Sequence, residues 1–111
     1  MIDWNRVAEL RDEIGAEDFG EVVDLFLDEV EGIVAKLDAA PVVAELEEDL
    51  HFLKGSALNL GFSEFGAICQ AGEKAAARGE GSLIDISQVV TAYWSSKTAF
   101  MERADEFGIA A

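Results

Sequence analysis

One proline, one cysteine and one histidine stand in a chain of 111 residues, and eight lysines and arginines face 23 aspartates and glutamates. Each scarcity excludes something. A lone cysteine forms no internal disulfide and no cysteine cluster for a metal. A lone histidine leaves no second imidazole to complete a metal site. A net charge of −15 argues against nucleic acid, whose phosphates would be repelled, and equally against anionic lipid surfaces. No stretch approaches 18 apolar residues, so no segment is expected to span a membrane. The amino terminus, Met1-Ile2-Asp3-Trp4, lacks a basic segment followed by an apolar run. No signal peptide is expected, and the cytoplasm is the default location. The chain also lacks a glycine-rich nucleotide loop of Walker type, so no binding of ATP is expected.

What the chain has is apolar residues at helical spacing. Half of it is apolar, enough to fold as one domain over residues 1–111 around one core. Residues 3 to 14 read as a short helix with Trp4, Val7, Ile14 and either Leu10 or Arg11 on one side. Phe19 to about Leu37 reads as the first long helix, with Val22, Phe26, Val30, Ile33 and Leu37 as its buried stripe. Pro41 marks the following turn. A helix from about Val42 to Leu60 comes next, its acidic early turns suited to the positive end of the helix dipole. Gly61 is a natural stop. Ser63 is placed as the cap of a helix from roughly 64 to 78, whose buried face is Phe65, Ile68, Cys69, Gly72 and Ala76. Cys69 on that face reads as inert packing. Ser82 or Asp85 caps a last helix ending near Phe107. Short connections favour antiparallel neighbours. The expected fold is all-α: an antiparallel up-down-up-down four-helix bundle with a short N-terminal capping helix.

The third of these helices carries the chemistry. Leu46, Leu50, Leu53, Ala57 and Leu60 recur at spacings of four, three, four and three, an apolar stripe of helical period. At about 100° per residue, His51 points roughly 140° away from the centre of that stripe, toward water. Lys54 lies one turn further on, with Glu47 as its bland partner. Gly55, at i+4, sits beside His51 with no side chain, although a helical glycine costs about 1 kcal/mol relative to alanine. Phe52 and Leu58 are apolar yet off the buried stripe, which suggests a docking patch. An exposed imidazole is a good nucleophile near neutral pH. Lys54 supplies a positive charge on the same side, able to stabilise negative charge that develops there.

The run His51-x-x-Lys54-Gly55-Ser56, followed by Leu60-Gly61, resembles the signature of histidine-containing phosphotransfer (HPt) domains. The resemblance implies a helical bundle and a phosphohistidine intermediate of a multistep two-component phosphorelay. Such a domain accepts a phosphoryl group from a receiver-domain aspartate and passes it to another receiver domain. The implied partners are a hybrid sensor histidine kinase and a response regulator. No cofactor of its own is implied, the partner receiver domain supplying Mg²⁺. By the same resemblance Nε2 of His51 takes the phosphoryl group, with Lys54 assisting. Gly55 stays small so that the receiver can approach, and Ser56 joins Phe52 and Leu58 in the partner-binding set.

Nδ1 then needs an acceptor on the following helix. Gln70 and Glu73 are the candidates. Measured from Phe65 as buried centre, Glu73 lies roughly 80° round and Gln70 roughly 140° round. The resemblance also places a ring-orienting residue at Glu73, which is the expected partner. The competing functions are a non-catalytic helical adaptor of the same fold and a helical subunit or inhibitor of an unrelated complex. A monomer is expected.

Overall fold

A computed structural model describes residues 1–109 of the chain. Five α-helices carry the fold: α1 (Trp4–Ile14), α2 (Ala16–Ala39), α3 (Leu46–Leu60), α4 (Ser63–Ala77) and α5 (Ile86–Met101). Single 3-10 turns stand at Val43–Glu45, Gly81–Leu83 and Ala104–Phe107. Among the described residues there is no strand beyond one isolated bridge, between Ile2 and Phe62.

Local chemistry sets the ends of these helices. The Asp3 carboxylate accepts from the Arg6 amide at 3.2 Å and opens α1. Asp85 does the same for α5, accepting from the Gln88 amide at 3.1 Å. Each satisfies a donor that the first helical turn leaves orphaned. Gly61 closes α3 at φ +80°, in the left-handed region. A Cβ there would also lie 2.6 Å from the carbonyl oxygen of Asp3. That oxygen is close because the Asp3 amide donates to the Gly61 carbonyl at 2.7 Å, tying the start of α1 to the α3–α4 turn.

Around the core, α3 packs most extensively on α4, α4 on α5, and α2 against both α3 and α5, while α1 lies on α2 and α3. Leu46, Leu50, Leu53, Ala57 and Leu60 are all buried, as their spacing requires. Tyr93, Phe62, Phe65 and Phe100 fill the interior, each such side chain contributing about 1.5–3 kcal/mol through burial. Trp4 stacks on Phe100 at 5.7 Å and on Phe107 at 5.3 Å.

Four expectations about these elements need correction. The deeply buried residues of α2 are Phe19, Val23, Leu27, Val30, Val34 and Leu37. Val22, Phe26 and Ile33 are only half-buried. They lie on a flank of a broad apolar face that serves more than one neighbour. The α3 helix starts at Leu46, since Val43–Glu45 form a 3-10 turn. Ser63 is the first residue of α4, not its cap, and its hydroxyl donates to the Met1 carbonyl at 2.9 Å. The α5 helix stops at Met101, and the chain reaches Phe107 through the last 3-10 turn.

Candidate functional site: an exposed histidine held by a carboxylate

The site is built where α3 lies against α4. Gly72 makes the approach close: a Cβ there would come within 2.9 Å of Leu50 Cδ1. With α4 seated this near, Glu73, the next residue, reaches the outer face of α3. Its Oε2 lies 2.7 Å from His51 Nδ1, and its Oε1 lies 2.7 Å from Lys54 Nζ. One carboxylate therefore holds both side chains, one by each oxygen.

Electrostatics fixes the roles of these atoms. The hydrogen bond from Lys54 holds the Glu73 carboxyl below its ordinary value, and the bond to His51 adds to the effect, while partial burial works against both. Glu73 is thus ionised at neutral pH and can only accept. Nδ1 must carry the hydrogen of a neutral ring and donate it. The lone pair is then on Nε2. The His51 side chain is 67% exposed, so this nitrogen faces water.

The other expected residues fall around it. Gly55 is exposed, and a Cβ at this position would meet nothing within 4 Å. The protein itself has no steric need of a glycine there. Phe52 is 39% exposed and Leu58 54%, so both are at the surface. Ser56 is not: it is buried at 7% exposure and cannot belong to a surface a partner touches. It lies five residues from His51, roughly 140° round the helix, on the side packed into the core. Gln70 is exposed, and the ring bonds Glu73 instead.

Two features escaped the sequence. Glu73 claims Lys54 as well as His51, where the sequence offered Glu47 only as the bland partner of Lys54. Asp49, assigned to the acidic first turn, is buried and pairs with Lys36 Nζ of α2 at 2.8 Å. At about 100° per residue it falls on the edge of the apolar stripe, about 60° from its centre, the signal that could have marked it as inward. Cys69 is fully buried, and burial pushes its thiol up to about 12, which makes it inert. Among the described residues no group of three or more His, Cys, Asp or Glu is arranged to hold a metal ion. No helix among them is long and apolar enough to cross a membrane.

Fold and site together define a helical protein that offers a single carboxylate-oriented imidazole at its surface. The sequence model of the Hpt domain family matches residues 21–100, a span that includes His51, Lys54, Gly55 and Glu73. The chain belongs to the Hpt domain family. Membership implies histidine phosphotransfer in two-component signalling, in which such domains interact with receiver domains and kinases. Searches of curated proteins and of solved structures returned no match.

Proposed function

We propose that His51 is the phosphohistidine intermediate of a multistep phosphorelay. Nε2 attacks the phosphorus of an aspartyl phosphate on a receiver domain. The N–P bond forms as the acyl P–O bond breaks, and the aspartate leaves as carboxylate. The ring becomes positive in the process, and the ionised Glu73 beside Nδ1–H stabilises it. Lys54 offers its charge to the phosphoryl oxygens. The reverse sequence passes the group to an aspartate of a second receiver. Mg²⁺ belongs to the receiver, whose aspartate it serves. Gly55 leaves the space through which the receiver approaches, with Phe52 and Leu58 as apolar contacts.

The observation that supports this reading best is the Nδ1–Glu73 bond of 2.7 Å, which leaves Nε2 bare on an open surface. The same reading takes residues 1–111 as one domain. In it α2 to α5 form the antiparallel up-down-up-down bundle, capped by α1, acting as a cytoplasmic monomer. The donor is the receiver of a hybrid sensor kinase, and the final acceptor is a response regulator.

The test is transfer from a receiver domain phosphorylated with acetyl phosphate in Mg²⁺. Acid-labile label should appear on the wild-type chain and be absent from His51→Gln, whose fold is kept. Label retained by His51→Gln would refute the assignment. Label on neither protein from any receiver of the source organism would favour the adaptor.

A further inference from the structure

Beside the histidine lies a cleft that shares only Phe52 with the contacts proposed above. Glu29 and Ile33 of α2, with Glu48, Asp49 and Phe52 of α3, line an open cleft of about 420 Å³. Its apolar members are Ile33 and Phe52, and its polar members are three carboxylates. Glu48 also lines the shallow cleft formed with His51 and Glu73, so this cleft is continuous with the surface that must meet a partner.

The carboxylates divide into two kinds. Asp49 is buried and neutralised by Lys36, at 2.8 Å. Glu29 and Glu48 are exposed, and neither has a cationic partner among the described residues. The nearby cations are committed: Lys36 to Asp49 and Glu45, Lys54 to Glu73. The cleft therefore presents two free negative charges beside an apolar floor.

This matters for a partner that is itself acidic where it reacts. A receiver domain holds Mg²⁺ through carboxylates next to its phosphorylated aspartate. Bringing that pocket to a chain of net charge −15 is opposed by like-charge repulsion, which also excludes wrong partners. A partner must offset it away from the reacting atoms.

We infer that the α2–α3 cleft selects its receiver: it accepts an apolar side chain against Ile33 and Phe52, flanked by lysine or arginine that pair with Glu29 and Glu48. The inference rests on the phosphotransfer reading and adds to it the charge character of the partner. A receiver with an apolar but uncharged or acidic docking surface is rejected by the free carboxylates. Pairs of this kind at a small transient interface govern encounter and specificity. Their signature is a KM that rises with salt.

The experiment compares three forms of the chain with a receiver that labels the wild type. Glu29→Lys/Glu48→Lys reverses the cleft. Glu9→Lys/Glu102→Lys makes the same change in net charge at α1 and just after α5, away from the cleft. Helical circular dichroism checks that each form is folded. The cleft variant should raise KM at low salt by at least about tenfold and lose most of its salt dependence. The control variant should stay within about twofold of the wild type. Equal KM values for cleft variant and wild type would overturn the inference. So would an equal rise in both variants, which would show that only net charge matters. If no receiver labels the wild type, the phosphotransfer reading itself fails and takes this inference with it; a labelled wild type with an indifferent cleft variant sinks the inference alone.

Discussion

At the residue scale, Gly55 separates stability from function. No atom lies within 4 Å of where its Cβ would be, so Gly55→Ala meets no clash and gains helix propensity. It should stabilise the chain by about 1 kcal/mol, read as a higher melting temperature. Gly55→Gln should fold equally well yet slow transfer from a receiver by about tenfold or more, about 1.4 kcal/mol in the barrier. Normal transfer by Gly55→Gln would remove the steric role. Glu73 has two functions that two variants can divide. Glu73→Gln keeps an oxygen for Nδ1–H but loses the ion pair with Lys54. Glu73→Ala loses both. Nitrogen-15 spectra of the ring should show the Nδ1–H tautomer kept in the first variant and redistributed in the second. No difference between the two would make Glu73 a surface charge only. The period of 3.6 made His51, Gly55 and Phe52 legible as outward residues. Ser56, which the motif drew into the docking set, lies no further from the stripe than Lys54 by period, and only its burial in the fold removes it. The bond from Lys54 to Glu73 was not legible, because it depends on how closely α4 seats over Gly72 and Leu50.

Among the elements, the apolar stripe of α3 could be read in full, and of α2 only Val30 and Leu37. The α3 sequence has one apolar stripe and one polar face, so periodicity has a single solution. Along α2, Val22, Phe26 and Ile33 form a stripe as regular as Val23, Leu27 and Val34, and only its neighbours on both flanks decide which lies deeper. The turn at Val43–Glu45 was likewise hidden, since a 3-10 start has the same residues as an α start. The join of α2 to α5 gives a pH-dependent contribution. Tyr93 Oη and Lys97 Nζ both donate to Glu31 Oε2, each at 2.6 Å. Burial pushes the Glu31 carboxyl up, but the bonds from Lys97 and Tyr93 and the charge of Lys97 outweigh it, and the net direction is down from 4.5. A carboxyl lowered in the folded state stabilises above its unfolded value and loses that contribution as pH falls through its folded value. Glu31→Gln should therefore cost about 1–2 kcal/mol at neutral pH. The gap to wild type should close as the pH is taken below about 4.5. A gap constant from pH 7 to pH 3 would show that the ionised carboxylate contributes nothing.

On the scale of the whole molecule, an acidic helical chain displays one histidine and keeps both ring nitrogens in different roles. The bundle supplies the rigidity: Leu50 and Leu53 are fully buried on the inner face of the helix whose outer face carries His51. Glu73 supplies the orientation from α4. Net charge and helical composition were plain in the sequence, and they pointed away from nucleic acid and membrane. The charge character of the cleft beside Phe52 was not plain, because Glu29 and Glu48 come from different helices and meet only in the fold. The most direct measurement is nitrogen–phosphorus correlation NMR on the ¹⁵N-labelled chain after transfer from a phosphorylated receiver. Coupling of phosphorus to Nε2 of His51, with Nδ1 still bearing its hydrogen, is the result expected. Coupling to Nδ1, or a phosphoryl group on any other residue, would contradict the site.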